Sequence, residues 1–524
     1  LMAGRLAGAS VALFTGGLRL QLALLATGAA ALAWRRRRRR IRWSFWLGGA
    51  AILAGFAAYQ LWVGPYLELP ADPWIHYERL RAQAHGLAAG RLPPLDWRAA
   101  LFQQGPHWYT LQAYLCRRAG LPVFESLGLT GWLTGSLFAL GAYDFGLGLA
   151  AGLRRSRLSK TVMAAAGAGF AVLTMGISVF AFVRYYALAP VMLNSAVYLA
   201  AAGLVWDTLR SRSGFPREAA PIPVFLLVLY WVHRQEALLV FCLALMLALV
   251  LCWRAMRPAP GSLRRAWRRP PARLLAVALL LLAAYGGLFA VTRGRPRAPL
   301  SPQTVRVFPR VRIGGEPAAI VAPGGQWYQT LGLWGLWVYV LFYGSRTGAR
   351  RSAFLSAGMA SPLLTALNPI SVDMMLRGFE TSYELYRLAF LVPLPWAAGM
   401  LLVEGCGRIR RAVRSPAVRA GWLAAAAGLA LLWLPLPERW VKSQTSRWTS
   451  LRPVPADNRW EWWGDLIAFM RSQSPARVIA DPVAGYLIRH LTESSVVADP
   501  SQGYLKRLDP PADGGDFGDW LRDP

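Results

Sequence analysis

The stretch RRRRRRIRWSFWLGGAAILAGFAAYQLWVGPYLELPADPWIHYE, Arg35 to Glu78, decides how the chain is read. It opens with seven arginines in eight residues. An apolar segment follows at 43–63, long enough to cross a bilayer, whose hydrocarbon core takes about 20 residues of helix. The stretch then leaves the apolar segment through ELPADPWIHYE, with two glutamates, an aspartate and a histidine in eleven residues. Basic loops stay on the cytoplasmic side of a membrane, so Arg35–Arg42 faces inside and the acidic motif outside.

The same alternation runs outward along the chain. Of 524 residues, 55% are hydrophobic and only 16% charged, against about 25% charged in an ordinary soluble domain. Apolar segments are expected near 11–34, 43–63, 127–152, 160–182, 187–206, 221–235, 237–253, 273–291, 330–344, 353–369, 385–403 and 419–435, about twelve in all. Placing Arg35–Arg42 inside also puts RRSRLSK (154–160), DTLRSRSGFPR (207–217), RAMRPAPGSLRRAWRRPPAR (254–273), SRTGARR (345–351) and GRIRRAVR (407–414) inside, all strongly basic. The outside loops are then 64–126, 183–186, a tight turn at 233–236, 292–329, 370–384 and the tail. Loop 292–329 is basic as well, the one exception. A net charge of +32 distributed in this way is a topology and anionic-lipid signal. It does not point to nucleic acid.

The fold class expected is an all-α polytopic membrane protein with a small extracytoplasmic α/β segment at the C-terminus. Residues 1–435 form the membrane domain, with large outer loops at 64–126 and 292–329, and 436–524 the tail. In the tail, ARVIADP and SSVVADP read as short strands flanking a helical VAGYLIRHLTE. In the first loop, RLPPLDWRAALFQQGPHWYTLQAYL (91–115) holds helical pieces rich in aromatics, suited to the membrane interface. Cys116, Cys242, Cys252 and Cys406 are scattered without a CxxC pair and read as small core residues. The first apolar segment is too long for a cleaved signal peptide and lacks a small-residue site before its basic run. The chain opens on Leu1 and stops after DFGDWLRDP without a closing element, so neither end need be a natural terminus.

Three polar groups fall on the expected outer face. In the first, Asp72 before Pro73 makes a good helix start, with Asp at the N-cap and Pro at the first helical position. His76 then lies one turn from Asp72, and Glu78 points elsewhere. Asp72 either caps the helix only or also accepts a proton, with room for a divalent metal beside it. The second group is His233, Arg234, Gln235 and Glu236, which interrupt an apolar hairpin without a Gly, Pro or Asn to make a routine loop. Ionisable groups at membrane depth usually face a cavity or a partner. His233, Gln235 and Glu236 are therefore candidates for substrate binding, with a solvated turn as the plain alternative. The third group, Asp373, Arg377, Glu380, Glu384 and Arg387, recurs at steps of four, three, four and three, one stripe if the segment is a single helix. It reads either as an ion-paired face or as a binding surface, with Arg387 entering the next membrane segment, where a guanidinium fork suits a lipid phosphate. Arg184 in VRYYALAP stands at the same outer level.

A Walker A motif, GxSxG and HExxH are all absent, so the chemistry must use a donor activated elsewhere. A basic inner run, one spanning segment, then an acidic motif in a long first outer loop with interfacial helices resembles the GT-C superfamily of integral-membrane glycosyltransferases. The motifs that carry the resemblance are ADPWIHYE, HRQE and YELYRLAFLVPLP. It implies a polyprenyl-phosphate-linked sugar donor, a glycan, lipid or protein acceptor, and an active site on the outer face of a plasma (inner) membrane. It also implies Asp72 as general base, with Glu78 and His76 beside it, and Arg387 as a lipid-phosphate ligand. The chain departs from the family in lacking a paired DE or DxD in the first loop, which leaves open which acid is the base and whether a metal is used. The competing reading is a transporter or flippase of a lipid-linked or anionic substrate. Transporters place their charges near the bilayer midplane, whereas these cluster toward one face.

Overall fold

In a computed structural model of the chain, the described residues are 43–63, 73–88, 106–121, 126–151, 155–177, 180–181, 189–210, 221–256, 272–296, 307–313, 316–321, 333–344, 352–378, 382–412, 415–418, 464–478 and 494–496, with a few single positions besides. The first half holds helices α1 (Trp43–Val63), α2 (Pro73–Ala88), α3 (Pro106–Ala119), α4 (Ser126–Ala151) and α5 (Arg157–Thr174). A two-residue antiparallel hairpin follows, β1 (Gly176–Ile177) with β2 (Phe180–Ala181). Next come α6 (Pro190–Arg210), α7 (Pro221–Met256), α8 (Ala272–Arg293) and the antiparallel hairpin β3 (Val307–Ile313) with β4 (Glu316–Val321). After α9 (Leu333–Gly344) come α10 (Ala353–Ala360), a 3₁₀ turn at Ser361–Leu364, α11 (Pro369–Gly378), a 3₁₀ segment at Ser382–Leu391 and α12 (Leu394–Ala412). The described part of the tail is α13 (Gly464–Ser472) and the parallel pair β5 (Arg477–Val478) with β6 (Ser495–Val496).

The chain is a multi-pass membrane protein. Among the described residues five helices are long and apolar enough to cross a membrane, or six if the bent pair Ala353–Leu364 and Pro369–Arg377 is one span. That is fewer than the twelve expected. Segment 11–34 lies outside the described residues, as does most of 419–435. Segment 160–182 ends as a helix at Thr174 and turns into the β1–β2 hairpin. Segment 353–369 bends by 72° where Pro369 opens a new helix.

Where hydrocarbon surrounds the helices, close packing of small residues holds them together. Trp396 of α12 is buried and donates from Nε1 to the Ala142 carbonyl of α4 at 2.8 Å. Its ring meets Phe145 edge-on with centroids 4.9 Å apart. Phe145 meets Phe354 in the same way, and Phe354 stacks on Trp206 at 5.3 Å. These rings tie α4, α6, α10 and α12 into one core. All four cysteines are free, and three are buried.

The helix ends sort into two poles. At one, Ser352 donates to the Leu149 carbonyl at 3.0 Å, and Arg254 donates to Ser356 Oγ at 2.8 Å and to the Ser352 carbonyl at 3.4 Å. Arg155 lies 3.7 Å from Glu404 at the same pole. The ends of α4 and α7 and the start of α10 meet here, and Arg155, just past α4, reaches α12 through Glu404. Tyr285 of α8 neighbours Cys242 of α7, halfway along both helices.

Two expected features are replaced. The tight turn at 233–236 does not exist: α7 runs unbroken through it for 36 residues. His, Arg, Gln and Glu all tolerate a helix, and the absence of Gly, Pro and Asn that made the turn unusual is what lets the helix continue. By length and composition the part of α7 able to cross a membrane is Glu236–Met256, about 30 Å at 1.5 Å per residue, one hydrocarbon thickness. The polar stripe at 373–387 is not a single helix either. α11 ends at Gly378, a residue that readily stops helices, and a 3₁₀ segment carries the chain onward from Ser382.

Candidate active site

A second, smaller core stands above the membrane bundle. It joins Tyr77, Leu80 and Leu87 of α2, Trp108, Tyr109 and Ala113 of α3, Leu127 at the start of α4, and Ile467 of α13. α2 starts at Pro73, the position that the Asp-Pro pair predicts. The two helices are tied by Thr110 donating to Gln83 Oε1 at 3.0 Å and Arg117 to the Leu87 carbonyl at 2.7 Å. His76 is half-buried between them. Its Nδ1 is hydrogen-bonded to the Tyr109 hydroxyl, and the two rings stack at 5.8 Å. This fixes the imidazole and leaves Nε2 as its second polar atom. Burial pushes the Tyr77 phenol above its ordinary value, against the opposing pull of Arg81 and Arg471. Through Ile467 and Arg471 the tail helix belongs to this core.

The second polar group is represented by Glu236 of α7. Glu236 is 4% exposed, and its Oε2 accepts from Asn194 Nδ2 at 2.8 Å. The same amide reaches the Leu229 carbonyl at 3.2 Å, which as a carbonyl has a second lone pair to offer. Glu236 lines a small cavity of about 20 Å³ together with Val191, Ser195, Tyr198, Phe390 and Trp396. The Tyr198 hydroxyl is buried without a hydrogen-bond partner. Leu193, one residue before Asn194, packs against the smaller core above. Phe390 brings in the third segment: Arg387 lies three residues earlier on the 3₁₀ segment, one turn of such a helix, and Leu388 opens the membrane span that ends at Ala412.

Glu236 and Phe390 thus line one cavity, and Leu193 links the helix of Asn194 to the core that holds Tyr77 and Tyr109. The structure describes the backbone of Glu78 on α2, His233 and Gln235 on α7, and Glu384 and Arg387 on the 3₁₀ segment. Asp72, Arg184 and Glu380 lie outside the described residues. Arg377 pairs with Asp373, as the ion-paired reading of the stripe expects. Its Nε donates to Asp373 Oδ2 at 2.9 Å, and Nη1 donates to the carbonyls of Arg293 and Arg295 at 2.8 and 2.7 Å. The guanidinium is committed to closing the end of α8. Among the described residues no three His, Cys, Asp or Glu side chains converge as a metal would require.

Sequence reasoning missed Tyr109, Asn194 and Tyr198. Asn194 was findable, as an amide in the apolar run PVMLNSAVYL needs a buried partner. Replacing it with Leu removes the donor to Glu236 and should cost about 1–3 kcal/mol, read as a lower thermal midpoint in detergent. An unchanged midpoint would mean that this bond contributes nothing.

The chain is similar to archaeal oligosaccharyltransferase AglB from Archaeoglobus fulgidus, solved in complex with an inhibitory peptide and a dolichol-phosphate. The TM-score is 0.45 at 13% sequence identity, over 88% of this chain. The matched region spans 65% of the length of that protein. No family model matches the chain, and no curated protein does either.

Proposed function

We propose that the chain is a GT-C-type membrane glycosyltransferase. It moves a sugar from a polyprenyl-phosphate donor to an acceptor hydroxyl on the extracytoplasmic side of a plasma membrane, with inversion. One observation supports this above all: buried Glu236 lines a cavity with Phe390 of the segment that bears Arg387, and Leu193, beside its partner Asn194, packs on the core of the helix that Asp72 precedes; in this reading that end of the bundle lies at the membrane edge. A lipid-anchored phosphate presents its head group at that depth. The tail, read as an α/β unit that docks through α13, completes the roof.

The chemistry follows from that placement. Asp72 takes the proton of the acceptor hydroxyl as its oxygen attacks the anomeric carbon. The bond from that carbon to the phosphate oxygen breaks, and polyprenyl phosphate leaves with the electron pair. Base catalysis of this kind contributes about 10²–10⁴-fold. Arg387 is the residue we assign to the leaving phosphate, because fixed positive charge in a water-poor site stabilises the transition state. His76, held by Tyr109, orients the acceptor beside the base.

Purified chain given a labelled polyprenyl-phosphate sugar and mixed acceptors should release polyprenyl phosphate. Uncleaved lipid crossing the bilayer of liposomes would replace this reading with the transporter.

A further inference from the structure

The cavity beside Glu236 has a volume of about 20 Å³. A buried site admits one water once it offers about 10–15 Å³, and keeps it if two to four polar partners are present. Phe138, Leu239, Phe390 and Trp396 supply apolar wall, and a cavity lined by such residues alone stays dry. Glu236, Tyr198 and Ser195 line it too, so their polar atoms decide what the space can hold.

α6 gathers these atoms. Asn194 and Tyr198 are one turn apart on the same face of the helix, and Asn194 Nδ2 donates to Glu236 Oε2 at 2.8 Å. The carboxylate is thereby carried alongside the phenol, within electrostatic reach of it. Tyr198 is 6% exposed, and its hydroxyl is buried without a hydrogen-bond partner. Buried hydroxyls are normally satisfied by protein or by ordered water. Ser195 donates its own hydrogen to the Val191 carbonyl at 2.7 Å, so its oxygen has lone pairs left with which to accept. One donor in want of an acceptor, a carboxylate and a hydroxyl oxygen therefore border the same small space.

We propose that this cavity is a binding site for a single water molecule shared by Tyr198 and Glu236. The water accepts from the Tyr198 hydroxyl, donates one hydrogen to the Glu236 carboxylate and donates the other to Ser195 Oγ. Three bonds are the usual complement of a buried water, and the phenol gains the partner it lacks. The water also joins α6 to α7 by a second route beside the Asn194 amide. A sodium ion is the rival guest. It would take only a lone pair of the Tyr198 hydroxyl and leave the hydrogen unbonded, whereas water satisfies that hydrogen. The site stands whether the chain transfers or transports its lipid.

The test uses the full chain in nanodiscs as wild type, Tyr198→Phe, Glu236→Leu and the double variant. In a dry cavity the hydroxyl is stranded and better removed, so Tyr198→Phe would melt at or above the wild-type midpoint. With the water in place Tyr198→Phe should melt below wild type, because the water loses its donor. That loss should shrink or vanish in the Glu236→Leu background, where the other end of the bridge is gone. A crystallographic map that resolves ordered water should show one peak in the wild-type cavity, within hydrogen-bond distance of the Tyr198 hydroxyl. The map decides the matter even if Glu236→Leu does not fold. A Tyr198→Phe midpoint at or above wild type, an equal loss in both backgrounds, or an empty cavity in the map overturns the proposal. So does a midpoint that rises in wild type, and not in Tyr198→Phe, when sodium replaces choline, since that assigns the cavity to the ion.

Discussion

An Asp72→Asn chain should release polyprenyl phosphate about 10²–10⁴-fold more slowly than wild type while keeping its thermal midpoint. The two halves of that expectation separate the roles that Asp72 can have. Asn is as good an N-cap as Asp, because its side-chain oxygen accepts the same backbone bonds at the helix start. The substitution therefore preserves α2, which opens at Pro73, and removes only the ability to take a proton. Asp72→Ala removes both, and should add about 0.5–2 kcal/mol of instability to the same loss of rate. Full activity in Asp72→Asn would leave Asp72 as a cap alone and move the base to another acid, with Glu78 the first to test.

Gly399→Ala should be among the most damaging single substitutions in the membrane bundle, although it adds one methyl group. A Cβ at Gly399 would lie 2.5 Å from the Gly167 nitrogen, 2.9 Å from the Ala166 carbonyl carbon and 3.0 Å from the Gly167 Cα. All three are backbone atoms of α5, so no rotamer can make room and the helices must part. Gly167 is equally confined on its own side, with a Cβ there 2.9 Å from the Cα of Trp396. Overpacking of this kind costs about 1–3 kcal/mol, and more where backbone must move. Gly405 and Gly407 on the same helix meet nothing within 4 Å. Their alanine variants should be neutral or gain up to about 1 kcal/mol from helix propensity. Thermal unfolding in detergent compares the set directly. If Gly399→Ala melted with Gly405→Ala, α5 and α12 would not cross at these glycines.

What could be read in advance follows from the range of each signal. The apolar spans were legible because hydropathy over about 20 residues is a property of composition, and five of them stand as long helices among the described residues. The start of α2 was legible because Asp-Pro is local. The stretch at 233–236 was misread because polarity inside an apolar run resembles a turn until a partner is known, and that partner, Asn194, is forty-two residues away. The stripe from Asp373 to Arg387 kept helical spacing across a break at Gly378 that spacing alone does not register. The pairing of Arg377 with Asp373 was legible from their spacing of four, whereas its carbonyl partners at Arg293 and Arg295 have no signature in sequence.

The smaller core has a consequence for biosynthesis. Its early members, Tyr77 to Leu127, leave the ribosome when three quarters of the chain is still to be made, yet Ile467 reaches them only near the end. A nascent chain can therefore insert its membrane helices well before the roof over His76 and Tyr109 closes. On the proposed reading as a transferase, activity would be acquired last, once the tail helix that carries Ile467 has joined this core, and a prematurely terminated chain would occupy the membrane inactive.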